Sequence, residues 1–256
     1  QWANWTFGGE SKGVGGNVNG HATLKNNWGI GGGINFNSGG IVPFHLHGGP
    51  SIRGSKNVNA WTNLYTDRRR DMSAGVNGNY FYSWDGVHSF NMSPSFTWRP
   101  KKNVSLSLGP NFRFMDDTWA WITTMEDASS QRHYIFSGMK LAQTTLPFRA
   151  DVTLSTTLSL QAYAQAFIMG ADFFDYRRVD DHTQEDFNLR FQDLPDHLLS
   201  FDGNGALSGV DIDQDGIADY SPISYVYSDF NYSELTSNMV LRWEYSTGSV
   251  MYLVWS

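Results

Sequence analysis

The sequence predicts an all-β chain, an antiparallel transmembrane β-barrel of the outer-membrane type, and three observations carry this prediction. Apolar and polar residues alternate with a period of two over much of the 256 residues, which is typical of strands with one apolar face. Aromatic residues make up 15% of the chain and charged residues only 17%, against about 25% charged residues in an ordinary soluble domain. No run of about 18 apolar residues is present, so strands rather than a helix would have to cross a membrane.

About ten strands are predicted, and the clearest two are the segments 88–98 and 104–114. In the second segment, Val104 and Leu106 share one face and Ser105 lies on the other. About eleven residues are enough for a tilted strand to cross a bilayer. The other candidate strands are 2–8, 23–37, 57–66, 72–84, 133–153, 158–168, 230–245 and 249–255.

The polar faces of these strands indicate the environment of the sheet. In a soluble sandwich the apolar faces meet in a core, and the polar faces carry Lys and Glu into water. Here the polar faces consist mainly of Ser, Asn, Gln and Gly, as in the hydrated interior of a membrane barrel. A soluble β-sandwich or β-helix is the alternative interpretation.

Short and long connections alternate along the chain. Short turns are expected at 67–71, 100–103, 155–157 and 246–248. Long links are expected at 38–56, 116–132 and 173–229, with one short exception at 85–87. Outer-membrane barrels have tight periplasmic turns and longer external loops. We therefore expect the basic residues of the short turns on the periplasmic side, and 173–229 as a long external loop.

The order of the turns predicts the directions of the terminal strands. If the turn at 246–248 is periplasmic, the last strand runs outward. Successive strands alternate in direction, so with ten strands the first is expected to run inward. Single-chain bacterial barrels have an even number of strands, and an open sheet would leave unpaired backbone groups in lipid. We therefore expect residues 1–256 to be a single β-barrel domain that is incomplete at both ends and belongs to a larger barrel.

Six segments of the chain carry a resemblance to a known family. They are NNWGIGGGINF, HGGPSIRG, LYTDRRRDMSAGVNG, SPSFTWRPKKNVSLSLGPNFRF, HYIFSGMKLAQTTLPFRADVTLSTTLSLQAYAQAFIMGADFF and DFNYSELTSNMVLRWEYSTGSVMYLVW. Together they resemble an uncharacterised outer-membrane β-barrel domain family of diderm bacteria, usually found C-terminal to a family 9-type carbohydrate-binding module. The resemblance implies a barrel fold. Neither that module nor the closing strand of the family is found in these residues, so carbohydrate binding is carried over to no residue here.

Composition excludes several classes of function. The absence of Cys excludes a thiolate nucleophile, a Cys-ligated zinc site and a disulfide framework. A net charge of -7 argues against a nucleic-acid partner, which would require a basic surface. No nucleophile elbow, zinc-protease helix or phosphate loop is found, so we expect neither enzyme activity nor a small-molecule cofactor. The expected location is the bacterial outer membrane, with outer-membrane lipid and other envelope proteins as candidate partners.

The sharpest local signal is the segment DIDQDGIADY, which has the spacing of a calcium loop. Asp211, Asp213 and Asp215 are spaced by two, and Asp219 lies eight residues after the first. Ile217 would offer its carbonyl oxygen. Pro rather than Glu stands at the twelfth position, so an EF-hand is not expected. Ca²⁺ is the expected ion, and a hydrated acidic turn is the alternative.

The segment HGGPSIRG is a second candidate. Gly48 and Gly49 allow unusual backbone torsions, and Pro50 fixes a turn. One interpretation is a loop that folds into the barrel as a constriction, with Arg53 donating to a carboxylate in the barrel wall. The other is a conformational hinge between strands.

Two further pairs have simpler interpretations than catalysis. Asp116 and Asp117 are adjacent carboxylates, as a glycosidase would need, but we expect them in a solvated external loop. His45 and His47 would share one strand face, yet no third metal ligand lies nearby in the sequence.

Three functional hypotheses follow. The first is an outer-membrane β-barrel protein with a structural, channel or export-associated role. The second is a surface carbohydrate-binding or carbohydrate-processing protein whose recognition domain lies upstream. The third is a soluble all-β protein.

Overall fold

The computed structural model describes residues 1–127, 129–203, 205–219 and 229–256. The chain is all-β, with 68% strand and 3% helix. The strands are β1 (Trp2–Trp5), β2 (Ser11–Thr23), β3 (Gly29–Asn37), β4 (Gly40–Val42), β5 (Ile52–Gly54), β6 (Asn57–Tyr65), β7 (Met72–Ser83), β8 (His88–Lys101), β9 (Val104–Leu108), β10 (Asn111–Glu126), β11 (Arg132–Thr153), β12 (Leu158–Val179), β13 (Phe191–Asp193), β14 (Leu199–Phe201), β15 (Leu207–Val210), β16 (Phe230–Ser246) and β17 (Ser249–Trp255). A short helix α1 (Phe187–Arg190) and a 3₁₀ turn (Asp196–Leu198) lie between β12 and β14.

One large antiparallel sheet holds most of these strands. Its order is β1-β2-β3-β6-β7-β8-β10-β11-β12-β16-β17. Strand β9 pairs with β8 and β11, the same neighbours as β10, so β9 and β10 act as one strand with a break at Gly109 and Pro110. Strand β13 extends the sheet beside β12, and β4-β5 and β14-β15 are separate hairpins. The large antiparallel sheet that the alternation predicts is therefore confirmed.

The sheet has an apolar face and a polar face, because the ladder register aligns residues of one kind. On the apolar face, Phe90 pairs with Tyr80 and with Phe114, and Leu241 pairs with Leu160. The polar face follows from the same register, since side chains alternate sides along each strand. Asparagines recur on this face in neighbouring strands, and their side chains form hydrogen bonds with one another.

The region before β6 differs from the prediction. The predicted strand 23–37 is interrupted by a turn at 24–28, in which the Leu24 N–H donates to the Trp28 carbonyl at 2.8 Å. The residues 11–23 form strand β2, which was not predicted. Their sequence is rich in Gly and Asn, and few apolar side chains mark the alternation there. Pairing with β3 along nine successive residues, from Gly15 to Thr23, holds this strand in the sheet.

Three strands extend further than predicted on the side of the long connections. Strands β10 and β11 continue to Glu126 and from Arg132, so the predicted 116–132 link shrinks to a short turn. Asp116 and Asp117 therefore lie in a strand and not in a loop. Strand β12 continues to Val179, so the long connection begins there and not at residue 173. Asp175, at φ 49, interrupts the alternation that would have shown the extension.

The expectation that the first and last strands run in opposite directions is wrong. Among the described residues eleven antiparallel neighbours follow one another from β1 to β17, so these two strands run in the same direction. The prediction counted ten strands because β2 was missed.

Within the described ranges, no helix has the length and apolar character needed to span a membrane.

Candidate functional site

Two long connections pack against each other at one end of the sheet, and we name residues 38–56 and 180–219 together the cap. The first connects β3 to β6, yet two of its side chains contact β10. His45 lies against Trp119 in a tilted arrangement with ring centroids 4.4 Å apart, and His47 stacks on Trp121 with ring centroids 3.9 Å apart. Strands β6, β7 and β8 lie between β3 and β10 in the sheet. The connection therefore spans three strands to reach its contacts.

The cap lies on the polar side of the sheet. Asp117 continues the alternating series of Asn111 and Arg113 along β10. Burial lowers the pKa of His45, while the nearby Asp117 carboxylate acts in the opposite direction. Since His45 belongs to the cap, this end of the polar face is covered. Neither His45 nor His47 joins the carboxylate cluster that could hold a metal in the described part of the chain.

Two buried apolar clusters hold the cap to the strands. Leu46, Ile52 and Phe191 from the cap enclose Phe136 of β11, and none of the four side chains is more than 5% exposed. A second cluster joins strand residues to the later part of the cap; its members are Ile122, Met125, Ile135, Tyr176, Leu194, Leu207, Val210 and Ile212. Each fully buried side chain of this size contributes about 1.5–3 kcal/mol. The cap is thus packed as a core and is not a solvated loop.

A buried ion pair lies where the two cap segments meet. Arg190 Nη2 donates to Asp85 Oδ1 at 2.7 Å, and the side chains are 0% and 2% exposed. Arg190 also donates to the Arg53 carbonyl and lies over the rings of Trp119 and Phe191, 5.1 Å and 5.4 Å from their centroids. One guanidinium therefore contacts both cap segments, β10, and the turn between β7 and β8.

Two opposing effects act on the charge of Asp85 in this pair. Burial raises the pKa of Asp85, and the guanidinium of Arg190 opposes that shift. Hydrogen bonds from Ser55 also oppose the rise in the pKa of Asp85, and within the described residues Arg190 Nε is buried without a hydrogen-bond partner. Burying two charges costs several kcal/mol for each ion, which a single good contact repays only in part. Such a pair fixes geometry more than it adds stability.

The segment HGGPSIRG has a partner other than the one predicted. Arg53 pairs with Glu185 of the second cap segment and not with a carboxylate of the barrel wall. The Arg53 N–H also donates to the His182 carbonyl at 2.8 Å, and His182 Nδ1 lies 2.8 Å from the Ser51 carbonyl oxygen. A Cβ on Gly49 would lie 2.4 Å from the ring of Tyr134. The Tyr134 side chain of β11 packs on the backbone here, so any larger residue at position 49 would require that ring to move.

The calcium-type loop brings three of its five predicted residues together. Oxygens of Asp211, Asp213 and Asp215 lie within 4.8 Å of one another. Asp219 instead accepts the Ile212 N–H at 2.7 Å through Oδ2. Ile217 is 71% exposed and donates its N–H to Asp215 Oδ1 at 2.8 Å. The twelfth position of the motif lies outside the described residues.

The charges within this loop repel one another. Reduced hydration raises the pKa of Asp213, and the carboxylates of Asp215, Asp219 and Asp211 raise it further. Asp211 accepts the Gly216 N–H at 2.9 Å through Oδ2. A divalent cation would relieve such repulsion, because oxygen ligands at this spacing suit Ca²⁺.

An asparagine ladder on the polar face was not predicted. Asn59 donates to Asn79 at 3.0 Å, and Asn35 donates to Asn59 at 3.3 Å. In the next strands Asn111 donates to Asn91 at 3.3 Å and to Ser93 at 2.7 Å. The sequence showed polar faces rich in Asn. Which asparagines pair depends on the register between neighbouring strands, and the pattern within a single strand does not reveal that register.

No family model, curated protein or solved structure matches this chain. The resemblance to an outer-membrane barrel family therefore stays a prediction, and the proposals below depend on the fold and the site.

Proposed function

We propose that this chain forms the wall of a β-barrel in the bacterial outer membrane, capped at its external end, with a structural, channel or export-associated role. The observation that carries the proposal is the exposed apolar face of the sheet. Leu235, Ile34 and Phe114 are 74%, 57% and 51% exposed on strands from both halves of the sheet. A soluble monomer rarely exposes a contiguous apolar patch larger than a few hundred Å².

The cost of leaving this face in water favours a membrane protein over a soluble one. Each large apolar side chain gains about 1.5–3 kcal/mol when it is transferred out of water. Many such side chains share the face, including Trp28, Met72, Phe90, Phe96, Trp98, Leu108, Leu146, Phe148, Ile168, Met239 and Trp243. The summed gain exceeds the 5–15 kcal/mol that typically separates folded from unfolded domains. Lipid would cover this face, while the antiparallel ladders satisfy the backbone groups that lipid cannot.

Aromatic residues support two interfacial belts on this face. Trp98 and Trp243 lie near the short turns, and they are 43% and 45% exposed. Tyr80, Tyr82 and Trp84 lie near the opposite end and are 36–49% exposed. Trp and Tyr favour the level of the lipid headgroups, so the interval between the belts corresponds to the hydrocarbon layer. The cap then lies on the external side.

The polar face and the cap together support a closed resting state for this proposed barrel. An aqueous interior lined by Asn, Ser and Gln would be covered at one end by packed residues, since both cap segments are anchored on the strands. We infer that passage through the interior requires displacement of the cap. Conductance in planar bilayers tests this role: the native protein should stay closed, and Asp85→Ala should open in bursts. Native protein that is steadily open would overturn the closed state.

Membrane residence itself has a direct test. The protein is purified with and without detergent, and its mobility in SDS gels is compared before and after boiling. A membrane barrel should require detergent and migrate differently when unheated. A folded monomer in plain buffer would show that the exposed face belongs to a soluble protein.

We further propose that the loop carrying Asp211, Asp213 and Asp215 binds Ca²⁺, with Ile217 and Asp219 as the remaining predicted members of the site. The clustering of three carboxylates supports this proposal, and Asp219 orders the loop through backbone N–H groups. Calorimetry should show calcium binding that is lost in Asp213→Ala. Asp196→Ala, a cap carboxylate outside the cluster, serves as the matched control. No heat from the native protein would refute the site.

A further inference from the structure

A row of ionisable side chains borders the apolar face on the cap side. His88 pairs in register with Asp116, Asp116 with Lys140, and Lys140 with Asp172. Successive members of the row lie on the neighbouring strands β8, β10, β11 and β12. Side chains alternate sides along a strand. The row therefore shares its face with Phe90, two residues from His88, and with Phe114, two residues from Asp116.

A cavity opens directly beside this row. Phe90 and Phe114 are 40% and 51% exposed, and they are followed in register by Ala142 and Gly170. The small Ala142 leaves a depression next to the Phe114 ring, and the Asn231 side chain, which lies over Gly170, borders the depression on its other side. The cavity measures about 370 Å³, within the range of small-ligand sites. Its lining combines the apolar Phe90, Phe114 and Ala142 with the polar Asn231 and with the row of ionisable side chains.

Lys140 has no acidic partner in this row. None of the ion pairs among the described residues includes Lys140. Its Nζ lies 5.1 Å from the centroid of the Phe174 ring. The ammonium group is therefore available to an anion, and the carboxylates of Asp116 and Asp172 on either side are available to a cation.

We propose that this cavity binds a zwitterionic phospholipid with a primary ammonium group, as in phosphatidylethanolamine. Lys140 would meet the phosphate, since Lys binds phosphate as a point charge. Asp116 and Asp172 would accept hydrogen bonds from the ammonium group, and one acyl chain would lie over Ala142 beside the Phe114 ring. The inference rests on the proposed membrane location.

Charge selects this headgroup over the others. At neutral pH the two aspartates and one lysine carry one net negative charge, which disfavours an anionic lipid. A choline headgroup has no N–H to donate to a carboxylate. Neutral chains without a headgroup would fill the depression but leave Lys140 unpaired. A phosphate joined to a primary ammonium group matches both signs of charge.

The test uses the full chain in detergent, offered equal amounts of phosphatidylethanolamine, phosphatidylcholine and phosphatidylglycerol. Bound lipids are counted by native mass spectrometry. Phosphatidylethanolamine should be retained preferentially, and Lys140→Gln should weaken its retention about tenfold, as expected for the loss of a charge-assisted hydrogen bond. Ala142→Phe should abolish it by filling the depression. Lys101→Gln, at the opposite end of β8, is the matched control.

Other outcomes overturn the proposal. Equal retention of the three lipids, preference for phosphatidylglycerol, or unchanged retention in Lys140→Gln would each reject the site. If heat-modifiable mobility and the detergent requirement persist in these cases, the membrane location stands and only the lipid site fails. If both are absent, the membrane location fails and the lipid site with it.

Discussion

Arg190 and Asp85 are 105 residues apart in the chain, and their side chains form the least exposed ion pair of the described residues, with Nη2 and Oδ1 2.7 Å apart. The pair joins the second cap segment to the turn between β7 and β8. Both side chains are shielded from water; burial raises the pKa of Asp85, and the Arg190 guanidinium opposes that rise. This contact therefore fixes the second cap segment against strands that lie far from it in the sequence.

Asp85→Ala should loosen the cap. It leaves the Arg190 charge buried and unpaired, which costs about 3–5 kcal/mol. Hydrogen exchange at the amides of α1 and β13 should accelerate, while exchange in β7 and β8 stays slow. The double variant Asp85→Ala/Arg190→Met should recover much of the protection, because no charge remains buried. Arg132→Ala, which breaks the exposed pair with Glu126, is the control, and equal exchange in it and Asp85→Ala would contradict the assigned role.

Gly49→Ala should strain the contact between the first cap segment and β11. The added Cβ would lie 2.4 Å from the ring of Tyr134, and overpacking of this kind costs about 1–3 kcal/mol. Limited proteolysis within residues 38–56 should become faster. Gly20→Ala is the control, because its Cβ would meet no atom within 4 Å. Proteolysis at the native rate in Gly49→Ala would show that the segment is not packed there.

Asp181 should stay ionised far into the acid range. Thr183 donates to its Oδ1 at 2.6 Å and Gln184 to its Oδ2 at 2.8 Å, and these donors lower its pKa to about 2. A carboxyl whose folded pKa is depressed contributes stability above its unfolded pKa, near 3.8, and loses it as pH falls toward 2. Carbon-13 NMR should locate the midpoint. Thr183→Val should raise it toward the ordinary value, and an unshifted midpoint would refute the hydrogen-bond cause.

Asn59→Ala should weaken the asparagine ladder on the polar face. Asn59 accepts from Asn35 and exchanges hydrogen bonds with Asn79, and each lost bond costs about 0.5–1.5 kcal/mol. Urea unfolding in detergent should shift to lower concentration. Asn19→Ala, whose amide donates to Asn17 on its own strand, should shift it less. Equal shifts would mean that the ladder has no role between strands.

The alternation predicted β8, β9 and the start of β10 up to Phe114, because nearly every residue on their apolar face is itself apolar. It could not predict β2, because the apolar face of that strand carries only Val14, Val18 and Ala22. Backbone pairing with β3 holds β2 in the sheet. The carboxylates of Asp211 and Asp213 were predicted to lie together because their spacing is local. The contact between Asp85 and Arg190 could not be predicted, since 105 residues separate them and only the folded sheet brings their two connections together.

The most direct test of membrane residence compares the two faces of β16. The chain has no Cys, so Leu235→Cys and Asn238→Cys each give one site for a fluorescent label. Leu235 lies on the apolar face beside Ala166, and Asn238 on the polar face beside Tyr163. In vesicles, spin-labelled lipid should quench the label at 235, and a water-soluble quencher the label at 238. Quenching of both labels from water alone would contradict a sheet embedded in the membrane.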